Sequence, residues 1–425
     1  MKNNFITLWI SDFWGIMTHE LKQIFTDGGV LLIFFVGGML YPLLYNIIYL
    51  NGILEDVPIA VVDDAACTAS RRFIREVDAT RELTVDYKCV NMAEAERLMQ
   101  QRKVKGILYF PSDFGEKLAH FETATLSLYT DMSSFLYYKN AMMATNFVML
   151  HEIGQIQIER YNAIGMTSQE AAQILQPLRY EENNPFNRAF DYRIFLVTAI
   201  LMLIIQQTMF YGMSLLAGTA RERKRSFATL RDRLEGRGVG RVMLGRGAAY
   251  WLLYLGIGLY IASIVPALFG LPQRGEFGNI LVLLLFFITD CVFFSMAWST
   301  FATRRESVFL LFLVMSPIAI LLTGCSWPDF AFPKFWLYVA YLFPSTFGVQ
   351  GFINLNTAGG DLNSIRVQLI AMTVQTIVYY ILASIAIYVE HWMIEHQESI
   401  KARRNRVAGR IGIDKVEDNR IIAGE

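Results

Sequence analysis

GGVLLIFFVGGMLYPLLYNIIYL (Gly28–Leu50) carries no charged residue. At about 1.5 Å per residue it is long enough to cross a hydrocarbon layer about 30 Å thick, and it reads as a transmembrane helix. It stands alone. About 140 mostly polar residues follow it, and then further runs at 194–217, 248–270, 280–301, 308–323 and 369–389. The chain is therefore an α-helical integral membrane protein with about six transmembrane helices. A sizeable α/β domain, residues 51–193, is inserted after the first of them. A hydrophobic share of 54% is high for a water-soluble chain, and the polar insert dilutes it.

Positive and negative side chains balance at 38 each, so net charge points to no nucleic acid or other strongly charged partner. Their placement is more informative. Residues 219–247 carry nine lysines and arginines against three acids, and the tail after His396 carries seven more. The links on the other side hold only Arg274 and Lys334. The excess of cations predicts that 218–247, the Arg304-Arg305 turn and both termini face the cytoplasm, which an even number of spans satisfies. The insert 51–193 is then extracytoplasmic. The Gly28–Leu50 run is too long for a typical signal-peptide core and is preceded by Asp12, Glu20 and Asp27, so it reads as a retained span.

Residues 1–27 place Trp9, Phe13, Ile16, Met17, Leu21, Ile24 and Phe25 at helical spacing, which predicts an interfacial helix on the cytoplasmic side. Within the insert, Val57–Asp64, Leu83–Cys89, Gly106–Phe110 and Thr125–Thr130 read as strands. They alternate with helices at 68–78, 92–101 and 113–120, the pattern of a largely parallel sheet. Residues 133–164 read as one long helix, a stalk. Residues 324–352 are aromatic and broken by Pro328, Pro333 and Pro344, which suits a re-entrant hairpin on the outer side ahead of the last span. Residues 396–425 form a cytoplasmic tail. Cys67 and Cys89 share the exported domain, where pairing is possible; two separate buried thiols satisfy the sequence equally.

No catalytic set emerges. The phosphate-cradling G-x-x-x-x-G-K-[ST] loop does not occur, GRGVG (Gly236–Gly240) follows an arginine-rich segment instead of a strand, and HEIGQ (His151–Gln155) lacks the second histidine of a zinc-protease helix. No metal site or enzyme activity is expected. Polar residues inside the spans are costly, and Gln206, Gln207 and Asp290 are candidates for a transport path or subunit interface; Gln375 is a further polar residue within a span. Interhelical hydrogen bonding alone would also explain them.

The segment RERKRSFATLRD (Arg221–Asp232) leaves the second span with charges followed by Phe227 and Leu230. It resembles the cytoplasmic segment that docks on the ATPase in permease subunits of ABC-2 type exporters, although Phe227-Ala228 stands where a glycine is common. PIAVVDD (Pro58–Asp64), GILYFPSDFGEKL (Gly106–Leu118) and the W-P, F-P and F-P-S-T elements of 324–352 resemble the external domain and last hairpin of the same family. The resemblance implies a dimeric permease, homo- or heteromeric, in the bacterial inner membrane. It implies a separate ATP-binding cassette subunit that supplies ATP and Mg, no cofactor bound by this chain, and contact with membrane lipid. It leaves room for an extracytoplasmic adaptor. Arg221, Glu222, Arg223, Phe227 and Leu230 are then the residues that couple ATP hydrolysis to export of an amphipathic or lipophilic compound. The competing reading is a membrane scaffold or surface receptor that acts through its external domain.

Overall fold

The computed structural model describes residues 2–175, 184–187, 190–223, 239–390, 392, 393 and 396. Two compact units form, one from Met1–Leu50 with Asp191–Glu425 and the other from Asn51–Phe190.

The smaller unit is built on a four-stranded sheet, β1 (Val57–Asp63), β2 (Leu83–Cys89), β3 (Gly106–Phe110) and β4 (Ser127–Thr130), in the order β2-β1-β3-β4. β1 runs parallel to β2 and β3, and β4 closes the edge antiparallel to β3. The unbroken apolar run of β1 has a direct cause: both of its faces are covered. Val57, Ile59 and Val61 pack with Phe73, Val77, Leu108 and Phe110 on one side. Ala60 and Val62 pack with Ala95, Val104 and Ile107 on the other.

The long helix forms as Phe135–Ala163. Its small residues Ala141 and Ala144, with Val148, sink into the first of these two cores, so this part of the helix is a layer of the α/β unit instead of a free-standing stalk. Cys67 and Cys89 are both free thiols. The Cys67 sulfur accepts from the Ser70 N–H at 3.3 Å and caps the helix Thr68–Asp78.

In the membrane unit, five helices are long and apolar enough to cross a bilayer among the described residues: Gly28–Ile48, Tyr192–Glu222, Val239–Leu268, Phe277–Phe301 and Arg366–Glu390. The remaining expected span forms the helix Arg305–Leu321. Its 17 residues, with Pro317 inside, reach about 26 Å, slightly less than a typical hydrocarbon layer. The segment expected as a hairpin folds into two short helices, Lys334–Ala340 and Pro344–Phe352. The first is largely exposed, and nearly every residue of the second is buried.

Two helices overrun their expected ends. The second span continues past Ala217 to Glu222, because nothing in Gly218–Glu222 breaks it. The third span begins at Val239, so Arg241 and Arg246 belong to a helix and not to a loop. Gly212 is required in the second span: a Cβ there would lie 2.0 Å from the Phe34 ring. Phe34 in turn meets Tyr250 and Tyr254 edge-on.

The helix Lys2–Thr26 lies along Val239–Leu259 through two ion pairs. Arg241 pairs with Asp12, and Arg246 with Glu20 at 3.1 Å. The Tyr250 hydroxyl donates to the same Glu20 oxygen at 2.8 Å. Arg246 and Glu20 are both 2% exposed, so these charges hold an element in place besides any vote they cast on topology. Breaking such a buried pair from one side costs about 3–5 kcal/mol, whereas removing both charges is far milder. Glu20→Ala is accordingly expected to lower the thermal unfolding midpoint sharply. Glu20→Met with Arg246→Met should recover more than half of the loss. Equal losses in the single and double variants would show that the pair does not fasten the N-terminal helix.

Candidate functional site

Of the residues expected to couple to an ATPase, Arg221, Glu222 and Arg223 fall at the end of the second span, where five helix ends converge. Arg221 lies on the last turn of Tyr192–Glu222, and its guanidinium makes four hydrogen bonds. Nη1 donates to the Ser299 and Ala302 carbonyls at 2.7 and 2.8 Å, at the end of the fourth span. Nε and Nη2 donate to the two Glu390 carboxylate oxygens, each at 3.2 Å, at the end of the last span. Only the planar five-donor fork of arginine can serve two carbonyls and a bidentate carboxylate together.

Glu222 accepts from the Arg305 backbone N–H at 3.0 Å, where the helix Arg305–Leu321 begins. The Arg305 side chain reaches back to Asp27 at 3.0 and 3.1 Å, and to the Thr219 hydroxyl at 3.4 Å. Asp27 caps the first span, accepting from the Gly29 and Val30 N–H groups at 3.0 and 3.2 Å. Gly218 makes this convergence possible, since a Cβ there would lie 2.9 Å from the Arg304 carbonyl oxygen. The result is a polar clasp. It joins the start of the first span and the ends of the second, fourth and last to the start of the Arg305 helix.

Arg223 donates its backbone N–H to the Thr219 carbonyl at 3.1 Å, and its side chain is exposed. Phe227 and Leu230 lie outside the described residues. The sequence reading missed Asp27, Arg305 and Glu390, each a charge directly bordering an apolar run; matching opposite charges at such borders was the available signal.

Burial tends to raise the Asp27 carboxyl, but the hydrogen bonds from Arg305, Val30 and Gly29 outweigh it and hold the group below its usual range. The sign follows. Stabilisation from a depressed carboxyl is complete above its unfolded value of about 4 and is lost as pH falls through the lower folded value.

The polar residues of the spans separate into different environments. The Gln206 side-chain amide oxygen accepts from the Ser345 N–H and so caps the buried helix Pro344–Phe352. Gln207 faces a cavity of about 520 Å³ bounded by the first span, the second span and the Arg305 helix. Its polar lining comes from Tyr41, Tyr45, Gln207, Thr208, Tyr211 and Ser316, and the rest is aliphatic or aromatic. Asp290 is fully buried elsewhere in the bundle, and neither carboxylate oxygen has a hydrogen-bond partner among the described residues. The structure therefore does not gather Gln206, Gln207 and Asp290 around one cavity. Among the described residues no cluster of histidine, cysteine and acidic side chains can hold a metal ion.

Two outcomes are expected of the clasp. Arg221→Ala should destabilise the protein by about 3 kcal/mol or more, because it strands Glu390 and two carbonyls, and Arg221→Lys should recover less than half. Full recovery by lysine would mean that charge alone matters. The acid limb of the stability profile should also shift in Asp27→Asn, whose stability relative to the parent improves as pH falls through 4. Parallel profiles would contradict a carboxylate held by Arg305.

No curated protein matches the chain in sequence. The family model described as ABC-2 family transporter protein matches residues 29–385, which takes in the first span, the α/β unit and nearly all of the last span. The chain belongs to the ABC-2 family of transporter proteins.

Proposed function

We propose that this chain is the permease subunit of an exporter that moves an amphipathic or lipophilic compound outward, driven by a separate ATP-binding cassette subunit. The observation that carries the proposal is the clasp. The chain leaves the second span at Arg223, and the residues just before it, Arg221 and Glu222, are bonded to three other helices. A soluble partner holding residues 223–230 would therefore pull on the ends of the second, fourth, fifth and last membrane helices together. ATP and Mg act in the partner. This chain contributes the segment that is gripped and the helices that move.

Within this reading, Phe227 and Leu230 are the anchors in the partner and Arg223 is a rim cation. Arg221 and Glu222 act from inside the permease, by passing motion to the bundle. The Gln207 cavity offers apolar walls with scattered hydroxyls and one amide, a surface suited to an amphiphile. The functional unit is a dimer in the bacterial inner membrane, with both termini and the link between the second and third spans in the cytoplasm and residues 51–190 outside. An extracytoplasmic adaptor is compatible with that arrangement.

Buried aromatic anchors dominate interface energies, and exposed rim charges contribute little. Phe227→Ala is expected to weaken co-purification of the ATPase by about 2 kcal/mol, roughly thirtyfold, and Arg223→Ala by about 1 kcal/mol or less. Full partner binding and transport in both variants would favour the scaffold or receptor reading. For Asp290, Asp290→Leu should insert normally yet lower partner-stimulated ATPase activity. Unchanged activity would assign it to packing.

A further inference from the structure

Two adjoining cavities lie in the α/β unit beside the long helix Phe135–Ala163. The first, of about 390 Å³, is walled mainly by apolar groups, among them Phe73, Phe114, Leu126, Leu128 and Met149. The second, of about 780 Å³, is bordered by Arg72, Gln157, Glu159, Arg160 and Phe121. Ala69, Leu118 and Ile156 belong to both walls, so the two adjoin as one trough; Asn146 and Glu152 add polar groups to the first part, and the second carries more charge.

Each end carries an unusual group. At the apolar end Thr145 is 4% exposed, and its hydroxyl has no hydrogen-bond partner among the described residues. At the charged end the two arginines differ. Arg72 is neutralised by Glu152 at 2.7 Å and Glu159 at 3.0 Å. Arg160 instead donates to the Leu118 carbonyl at 2.8 Å and lies over the Phe121 ring, 4.5 Å from its centroid. Among the described residues no carboxylate pairs with it. Phe121 adopts a left-handed backbone with φ of +65° while its ring stays 72% exposed, a conformation that a bulky residue rarely takes.

We infer that this trough binds a long-chain amphiphilic acid, with the acid group on Arg160, the chain across Ile156, and an oxygen function at its far end on the Thr145 hydroxyl. Apolar walls favour the chain. Arg160, which pairs directly with no carboxylate among the described residues, favours the anion, since charge-assisted hydrogen bonds are the strong ones. The orphaned hydroxyl favours a second polar group over a bare methyl end, because a buried polar group left unpaired is costly. Thr145 and Arg160 are fifteen residues apart, about 22 Å along the helix axis, and the length of the arginine side chain shortens the gap. A chain that lines one bilayer leaflet spans about 15 Å, so a single long chain bridges most of it.

The site deepens the proposed function by giving the exporter a place for its amphiphile outside the membrane bundle, but binding here needs no ATPase. Loss of ATP-driven transport with binding intact would overturn the exporter reading alone. Transport without binding would overturn this site alone.

The test uses the full chain in nanodiscs with radiolabelled 16-hydroxyhexadecanoate, after subtraction of uptake by empty nanodiscs. Saturable binding is expected, reduced at least tenfold by Ile156→Trp, which plugs the junction of the cavities. Arg160→Gln should weaken the acid about tenfold and leave hexadecane-1,16-diol within twofold. Hexadecanoate should bind several-fold more weakly than its hydroxylated counterpart. Absence of saturable binding, or unchanged affinity in a correctly folded Ile156→Trp, would overturn the site. Equal losses of acid and diol in Arg160→Gln would overturn the anion contact, and equal affinity for hexadecanoate would overturn the role of Thr145. A variant that loses the near-ultraviolet circular dichroism of the parent would be replaced by Met149→Trp, held to the same criterion.

Discussion

The Arg221 guanidinium is the interaction on which the arrangement of the bundle depends. A helix leaving a hydrocarbon layer has unpaired carbonyls at its C-terminus, and these need donors where water is scarce. In this protein one arginine supplies them for the fourth span, at Ser299 and Ala302, and gives two further donors to Glu390 of the last span. Because the donor sits on the second span, none of the three helix ends can shift without rearranging the other two. Arg305 repeats the device beside it. It joins the first span through Asp27 and receives the second span through Glu222.

The same economy governs the N-terminal helix. Asp12 and Glu20 would be out of place on a surface facing lipid, and Arg241 and Arg246 would be out of place inside a span. Each acid meets one arginine; Glu20, Arg241 and Arg246 are shut away from water, and Asp12 keeps a partly exposed edge. Two of the cations counted in the sequence as a topology signal thus also fasten the N-terminal helix. The cost of burying them is met by the partner's charge and by the Tyr250 hydroxyl.

Sequence made the architecture legible where one physical signal dominates. Length and apolarity located the five long spans, and the both-sided apolar run at Val57–Val62 located the central strand. Helix ends were less legible. No residue in Gly218–Glu222 announces that the helix continues, and the close approach of Arg304 to Gly218 joins segments far apart in sequence. Arg221 stood out in the sequence as part of a charged stretch at the end of a span, but its partners did not, because Glu390 lies 169 positions away. The three polar span residues shared a cost in lipid but not a location. Gln206 caps a short helix, Gln207 faces a cavity, and Asp290 is enclosed.

The central claim is that the clasp transmits the partner's work to the membrane helices. Its most direct test is the ratio of substrate moved to ATP hydrolysed, measured in vesicles containing the permease and its ATPase, for the parent and for Glu390→Gln. Glutamine keeps the side chain's size but removes the charge that holds the arginine fork. Hydrolysis is expected to stay within about twofold of the parent while transport per ATP falls at least tenfold, about 1.4 kcal/mol of lost coupling. An unchanged ratio would contradict it, whether both rates persist or both fall together.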